Sequence, residues 1–134
     1  MKITYIDSGV LLSATDGVSR IAEKTLGILG DLSLAFASSD FVKLEVMPKA
    51  VYNKQTEEAQ FYEEFFGDVI YWANNLEQIV QDANNIACKY GLAAMDALHI
   101  GAALSVGAEE FVTTEKPTKS MFRVTSIQVI SLFD

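Results

Sequence analysis

The sequence is poor in cysteine, histidine, proline and long apolar runs. It contains one cysteine, one histidine and two prolines among 134 residues. A single cysteine excludes an intramolecular disulfide, and the shortage of cysteine and histidine argues against a zinc site. We therefore expect a reducing, cytoplasmic setting. Apolar runs of 18 residues are absent, so no membrane span is expected, and four uncharged residues between Lys2 and Asp7 argue against a signal peptide.

Positive charge is also scarce. Ten lysines and arginines stand against 18 acids, for a net charge of −8. This balance argues against coating nucleic acid or anionic lipid by bulk charge, but it leaves open an enzyme that acts on RNA locally. Half of the residues are apolar, which excludes disorder. The length predicts one domain covering residues 1–134.

Strand-like and helix-like segments alternate along the chain. Strands are predicted at 3–6, 32–37, 69–72 and 111–113, with one or two more within 124–132. Helices are predicted at 9–14, 18–29, after Ser39 until Pro48 kinks or ends the helix, and at 57–66, 76–90 and 93–106. This alternation predicts an α/β protein with a mainly parallel sheet of four to five strands and helices on both faces.

Two acids follow predicted strands. Asp7 comes directly after the first strand, and Glu115 comes two residues after Thr113 at the end of a later one. The carboxyl ends of parallel strands meet at one edge of a sheet, and open α/β sheets bind their ligands there. We therefore expect these two carboxylates to lie close together.

Two further acids lie on helices where a charge is costly. Asp96 is the only charged residue between Lys89 and Glu109, in a helix that is apolar on nearly all sides. Burial of an unpaired carboxylate costs several kcal/mol, whereas the helix dipole returns about 0.3–2 kcal/mol, so a partner is predicted for Asp96. Glu45, four residues after Phe41, is expected to reach the same sheet edge.

Each acid alone has an ordinary structural interpretation, such as a helix cap for Asp7 or a turn residue for Glu115. Together they are predicted to converge. Several carboxylates cannot remain ionised side by side without a cation, and hard oxygen ligands suit Mg²⁺ or Mn²⁺. The residues therefore predict a divalent-metal site.

Four segments resemble the PIN domain, the metal-dependent ribonuclease fold of VapC-type toxins. They are ITYIDSGVLLSA, SSDFVKLEVMPKA, KYGLAAMDALHIGAAL and EEFVTTEKPTK. The third is the most specific, with Tyr-Gly, small residues and then Asp-Ala-x-His-Ile-x-x-Ala opening a helix. The resemblance covers essentially the whole chain and implies a single-domain, PIN-like three-layer sandwich.

The resemblance also implies which residues act. The acids implied as catalytic residues and metal ligands are Asp7, Glu45, Asp96 and Glu115. Asp7 and Asp96 are expected to ligate the metal directly, and the other two through water or by orienting the nucleophile. Substrate contacts are expected from Thr113, Ser8, Lys43 and Lys116, with Lys49 and Lys119 also near the phosphate backbone.

Two positions depart from the family pattern. Glu115 stands where the family usually has Asp, and Lys116 begins the segment where a second acid is often found. Two residues after the first Asp, where Ser, Thr or Asn is usual, this chain has Gly9. We interpret His99 as a structural histidine that bridges helix and sheet, and Cys88 as a small core residue.

The leading functional hypothesis is an Mg²⁺- or Mn²⁺-dependent endoribonuclease acting on single-stranded or structured RNA. The family implies a toxin of a toxin–antitoxin pair, an antitoxin protein as partner, and a homodimer. The alternative is a catalytically weakened PIN-like module that binds RNA or a protein partner. A phosphoacceptor receiver domain is disfavoured, because Ser8 and Gly9 follow Asp7 where that fold needs a second acid.

Overall fold

Five parallel strands form the central sheet of the computed structural model, which describes residues 1–16 and 19–133. The strands are β1 (Lys2–Ile6), β2 (Leu34–Ser39), β3 (Tyr71–Ala73), β4 (Glu110–Thr113) and β5 (Gln128–Ser131). Their order across the sheet is β3-β2-β1-β4-β5, and every pairing is parallel. The predicted parallel sheet is therefore confirmed, at the upper end of the expected strand number.

In the described part of the chain, six helices and one short 3-10 helix connect these strands. They are α1 (Ser8–Ala14), α2 (Arg20–Leu29), α3 (Asp40–Tyr52), α4 (Thr56–Asp68), α5 (Leu76–Tyr90), α6 (Ala94–Ser105) and the 3-10 helix Ser120–Arg123. The chain moves outward from β1 to β3 and then returns to place β4 on the other side of β1. Right-handed crossovers in these two opposite directions place helices on both faces.

The reversal of direction makes the gap between β1 and β4 the topological switch point of the sheet. Tyr5 pairs with Phe111, and Ile6 pairs with Val112. The pairing continues past the strand, because the Asp7 backbone N–H donates to the Val112 carbonyl at 3.0 Å. Open α/β sheets bind ligands where the strand order reverses, so Asp7 lies at the place where a site is expected.

The core surrounds this switch point. Tyr5, Ile6, Phe111 and Ile100 are fully buried, and the Tyr5 and Phe111 rings stack with centroids 5.4 Å apart. Burial of each such side chain contributes about 1.5–3 kcal/mol. The strands β1 and β4, which lead to Asp7 and Glu115, are therefore anchored in the buried core.

Some helix boundaries follow the sequence pattern closely. Helix α5 ends at Gly91, which adopts the left-handed conformation (φ 71°) predicted for a C-cap. Of the two effects predicted for Pro48, a kink or a helix end, the helix end is wrong, because α3 continues through Pro48 to Tyr52. Val18, the predicted start of the second helix, lies outside the described residues, and the described helix begins at Arg20 after the Ser19 cap.

One prediction about burial is wrong. Cys88, which we expected in the core, is exposed on the outer side of α5. Two aromatic residues of α4, Tyr62 and Phe65, are buried. None of the helices in the described part of the chain combines the length and the apolar character that crossing a bilayer requires.

Candidate active site

A cavity of about 360 Å³ opens at the carboxyl edge of the sheet, over the switch point. We call it the strand-end cavity, and its walls are Asp7, Ser8, Gly9, Leu12, Glu45, Met95, Asp96, His99, Thr114 and Glu115. The four acids predicted from the sequence therefore line one cavity, although they come from four separate segments of the chain.

Asp7 is the most enclosed of these acids. Its Oδ1 accepts a hydrogen bond from the Ser8 backbone N–H at 2.8 Å, which caps α1, and its Oδ2 accepts from the Thr113 hydroxyl at 2.8 Å. The side chain is 13% exposed. Burial raises the pKa of Asp7, and the lowering effects of His99 and of the Thr113 hydrogen bond offset only part of that rise. A buried carboxylate with a raised pKa is stabilised by binding a proton or by a nearby cation.

Thr113 links Asp7 to Glu115. Its hydroxyl donates to Asp7 and accepts the Glu115 backbone N–H at 3.2 Å. Thr113 is fully buried, which places its hydroxyl behind the Asp7 carboxylate and away from the cavity surface. Thr113 therefore positions Asp7 and Glu115 from the interior of the protein.

Glu45 reaches the strand-end cavity from α3. Its Oε1 accepts the Ser8 hydroxyl at 2.6 Å and forms a short hydrogen bond with Nε2 of His99. The side chain remains 37% exposed, so this carboxylate spans the distance from solvent to a buried histidine. Ser8, predicted as a substrate contact, lies on the cavity wall with its hydroxyl directed to Glu45.

Asp96 lies in the first turn of α6 at the cavity rim. The helix is buried along most of its length, as its apolar sequence predicts, but Asp96 itself is only partly buried and not enclosed in the core. Burial and the charge of Glu115 raise the pKa of Asp96, against lowering effects from His99 and Lys119. Neighbouring negative charge therefore destabilises the ionised form of Asp96.

The remaining predicted substrate contacts lie outside the cavity. Lys43 is exposed on α3, and Lys116 is exposed with its ammonium 5.3 Å from the centroid of the Phe133 ring. Neither lines the strand-end cavity. Lys119, which the sequence also marked, is the lysine whose charge acts on Asp96.

The donor set of the cavity fits a hard divalent cation by its chemistry. It offers carboxylate oxygens, and burial raises the pKa of both Asp7 and Asp96, so a nearby cation would stabilise their ionised forms. Within residues 1–16 and 19–133, no three His, Cys, Asp or Glu side chains form a ready-made ligand group. Mg²⁺ fits this arrangement because it keeps several waters and usually takes one or two protein carboxylates.

Thr114 is a cavity residue that the sequence interpretation missed. A Cβ atom built on Gly9 would lie 2.5 Å from the Thr114 hydroxyl oxygen, which is far inside van der Waals contact. The glycine that departs from the family pattern therefore leaves room for a hydroxyl from the neighbouring strand end. The signal in the sequence was a second threonine, Thr114, which comes directly after the predicted strand 111–113 and directly before Glu115.

This packing makes a prediction for Gly9→Ala. Alanine is better than glycine in a helix by about 1 kcal/mol, but overpacking costs about 1–3 kcal/mol, so we expect a net loss of stability. In a Thr114→Ala background the clash is absent, and the same change is expected to stabilise the chain. Gly27→Ala in α2, where an added Cβ meets nothing within 4 Å, is the matched control and should stabilise. Urea unfolding of the four variants measures the coupling, and additive effects of the two changes would contradict it.

No protein-family model matches the chain, and no curated protein matches it by sequence. Several solved structures do match the fold of the chain. A chain in the structure of VapBC2 from Rickettsia felis bound to a DNA fragment from their promoter aligns with a TM-score of 0.70 at 12% identity, covering 96% of this chain and 98% of that chain. A chain of a toxin–antitoxin complex from Klebsiella pneumoniae aligns with a TM-score of 0.71 at 18% identity, with 98% coverage of both.

A third alignment, with a chain of FitAcB from Neisseria gonorrhoeae, has a TM-score of 0.69 at 17% identity and covers 96% of this chain and 97% of that chain. At these identities the likeness is one of fold. The PIN-like α/β sandwich predicted from the sequence motifs is therefore confirmed.

Proposed function

We propose that this chain is a divalent-metal-dependent endoribonuclease that uses Mg²⁺ or Mn²⁺. The observation that carries the proposal is the strand-end cavity, where four carboxylates from separate segments surround one opening at the switch point. The raised pKa values of Asp7 and Asp96 support it, because a bound cation would offset the cost of keeping both acids ionised. The shared fold with chains of toxin–antitoxin complexes agrees with this proposal.

We assign a role to each residue of the cavity from its position. Asp7 and Asp96 would hold the cation, and Glu115 would be a further ligand, directly or through a water. A bound cation would lower the pKa of a water molecule and stabilise negative charge at the scissile phosphate. Glu45 orients the attacking water, since Ser8 and His99 hold its Oε1 at the cavity wall. Lys119 reduces the repulsion between the acidic cavity and an incoming phosphate.

We also propose that the chain acts as the toxin of a toxin–antitoxin pair and forms a homodimer. The support is the toxin–antitoxin context of the structural neighbours and an apolar stripe on α3. Leu44, Val51 and Tyr52 are 70%, 62% and 85% exposed, and their spacing places them on one side of that helix. A stripe of this kind is typical of a protein–protein interface.

The test of the activity uses a labelled single-stranded RNA with the purified chain. We expect cleavage with Mg²⁺ or Mn²⁺ and none with EDTA, because the acids cannot activate water without the cation. Asp68→Asn is the matched control for variants that remove an acid of the cavity. It removes one exposed acid at the end of α4 that does not line the cavity, and it should cleave normally. Cleavage that survives EDTA would contradict the proposal.

A second candidate is a weakened PIN-like module that binds RNA or a protein partner. The observations that favour it are Glu115, which replaces the usual shorter acid, and the net charge of −8. The same assay separates the two functions, because RNA binding without turnover under either metal supports the binding module.

A further inference from the structure

A chain of hydrogen bonds runs from the interior of the sheet to the strand-end cavity. The hydroxyls of Ser39 and Tyr5 are 2.7 Å apart, and the Tyr5 hydroxyl lies 2.9 Å from Nδ1 of His99. Nε2 of His99 then bonds to Oε1 of Glu45, which also accepts the Ser8 hydroxyl. Tyr5 and Ser39 are fully buried and His99 is 3% exposed, so water does not compete for these bonds.

The register of the sheet brings together Tyr5 and Ser39, the two buried residues at the inner end of this hydrogen-bond network. Tyr5 on β1 pairs with Ala37 on β2, and Ser39 lies two residues further along β2. Side chains two residues apart on a strand point to the same face, so Tyr5 and Ser39 share one face of the sheet. Helix α6 then places His99 against the Tyr5 hydroxyl.

The Glu45 carboxylate, at the cavity end of this network, determines which atom donates in each of its hydrogen bonds. An ionised carboxylate only accepts hydrogen bonds, so His99 must donate from Nε2 to Glu45. In a neutral imidazole the other nitrogen is then an acceptor, and Tyr5 must donate to Nδ1. The Tyr5 oxygen is left to accept the proton of Ser39.

The opposite direction leaves a buried donor without an acceptor. If Nδ1 carried a proton, His99 would donate it to Tyr5, and Tyr5 would then donate to Ser39. Within the described residues, Ser39 Oγ has no hydrogen-bond partner other than Tyr5, so its own proton would be stranded in the interior. Burial also raises the pKa of Tyr5, so its hydroxyl keeps the proton that it donates.

We propose that Tyr5 and Ser39 are positioning residues that hold the neutral imidazole of His99 in the tautomer with its proton on Nε2. This tautomer is the one that fixes Glu45 at the cavity wall. The effect on cleavage rests on the proposed function, whereas the state of the ring does not.

The experiment uses the fact that His99 is the only histidine in the chain. Labelling with ¹⁵N-histidine therefore gives the signals of one ring, measured above the ordinary imidazole pKa of about 6.5. In the unmodified chain we expect a protonated Nε2 and an unprotonated, hydrogen-bonded Nδ1. In Tyr5→Phe the Nδ1 signal should move to the position of an unprotonated nitrogen without a donor. A protonated Nδ1 in the unmodified chain, or an unchanged Nδ1 signal in Tyr5→Phe, would overturn the proposal.

Two further variants complete the test. Ser39→Ala leaves the Tyr5 hydroxyl in place and should shift the Nδ1 signal in the same direction by less, which also serves if Tyr5→Phe does not fold. Tyr62→Phe removes another buried hydroxyl, one that contacts Thr15 outside this network, and should leave the His99 signals unchanged.

Cleavage provides the second readout. Misplacement of a group that orients a reacting atom can cost up to about 100-fold in rate, and Glu45 orients the attacking water in the proposed function. We therefore expect a fall of about tenfold or more in kcat for Tyr5→Phe with little change in KM. A shifted Nδ1 signal in a chain that never cleaves RNA would contradict the proposed function and leave the assignment of Tyr5 intact. A shifted signal with unchanged kcat would show that the tautomer does not act through Glu45, and would overturn the positioning role.

Discussion

Replacing Asp7 with asparagine is expected to abolish metal-dependent RNA cleavage and, at the same time, to stabilise the metal-free chain at neutral pH. Metal stabilisation of developing charge is worth several kcal/mol, and 1.4 kcal/mol is a factor of ten, so a loss of at least about 100-fold is expected. Asparagine keeps an oxygen for the Ser8 N–H that caps α1, but the Thr113 hydroxyl loses the carboxylate oxygen to which it donates. Because burial outweighs the hydrogen bonds in its effect on the pKa of Asp7, we expect the gain from removing the buried charge to exceed the cost of that one bond.

The pH dependence of this effect follows from the raised pKa of Asp7. Because the folded-state pKa lies above the unfolded value of about 3.9, the folded chain binds the proton more tightly. The stability contributed by Asp7 is fully present below the unfolded pKa and is lost as the pH rises through the folded pKa. The advantage of Asp7→Asn should therefore be largest at neutral pH and shrink toward acidic pH.

Thermal unfolding at a series of pH values measures this difference. For a chain of this length, 1 kcal/mol corresponds to roughly 3–5 °C in Tm. Asp68→Asn provides the baseline, because its carboxyl is exposed on α4. A lower Tm for Asp7→Asn than for the unmodified chain at neutral pH would show that hydrogen bonds to the charged carboxylate outweigh the burial cost.

The second large effect is expected for Asp96→Asn. Mg²⁺ or Mn²⁺ at 100 times its dissociation constant should stabilise the unmodified chain by about 2.7 kcal/mol, or roughly 10 °C in Tm. Asp96→Asn should remove most of this rise, because the amide is a neutral and weaker ligand. The change also removes the repulsion between Asp96 and Glu115, which the cation would otherwise relieve.

Differential scanning fluorimetry with and without metal provides the measurement, with Asp68→Asn as the control that should keep the full rise. Equal rises in the unmodified chain and in Asp96→Asn would remove the claim that the strand-end cavity binds the metal. This experiment does not depend on identifying an RNA substrate.

Much of the fold followed from local patterns. The helix at 76–90 was predicted with its observed bounds, because its apolar residues recur at helical spacing and Gly91 ends it in a conformation that favours glycine. Alternation of strand and helix signals likewise predicted the parallel sheet, and the acids at strand ends predicted the edge where the cavity lies. These are signals that neighbouring residues carry on their own.

Burial of single residues was predicted less well. Cys88 was interpreted as a core residue from its residue type, but Asn84 and Asn85 share its side of α5, and that spacing indicates the exposed face. Asp96 was predicted to be buried because its helix is apolar, but it lies in the first turn of α6 at the cavity rim. For Asp96, packing against distant elements decides the outcome.

The sequence by itself determined the types of residue in the site and the edge of the sheet where they meet, because local periodicity indicates where strands and helices begin and end along the chain. Only the tertiary structure decided which atoms of that site touch. The fit of Thr114 against Gly9, the Thr113 hydroxyl beneath Asp7, and the path from Ser39 to Glu45 all join residues that are far apart in the chain. Such contacts depend on strand register and helix docking at the scale of an ångström, which no local pattern encodes.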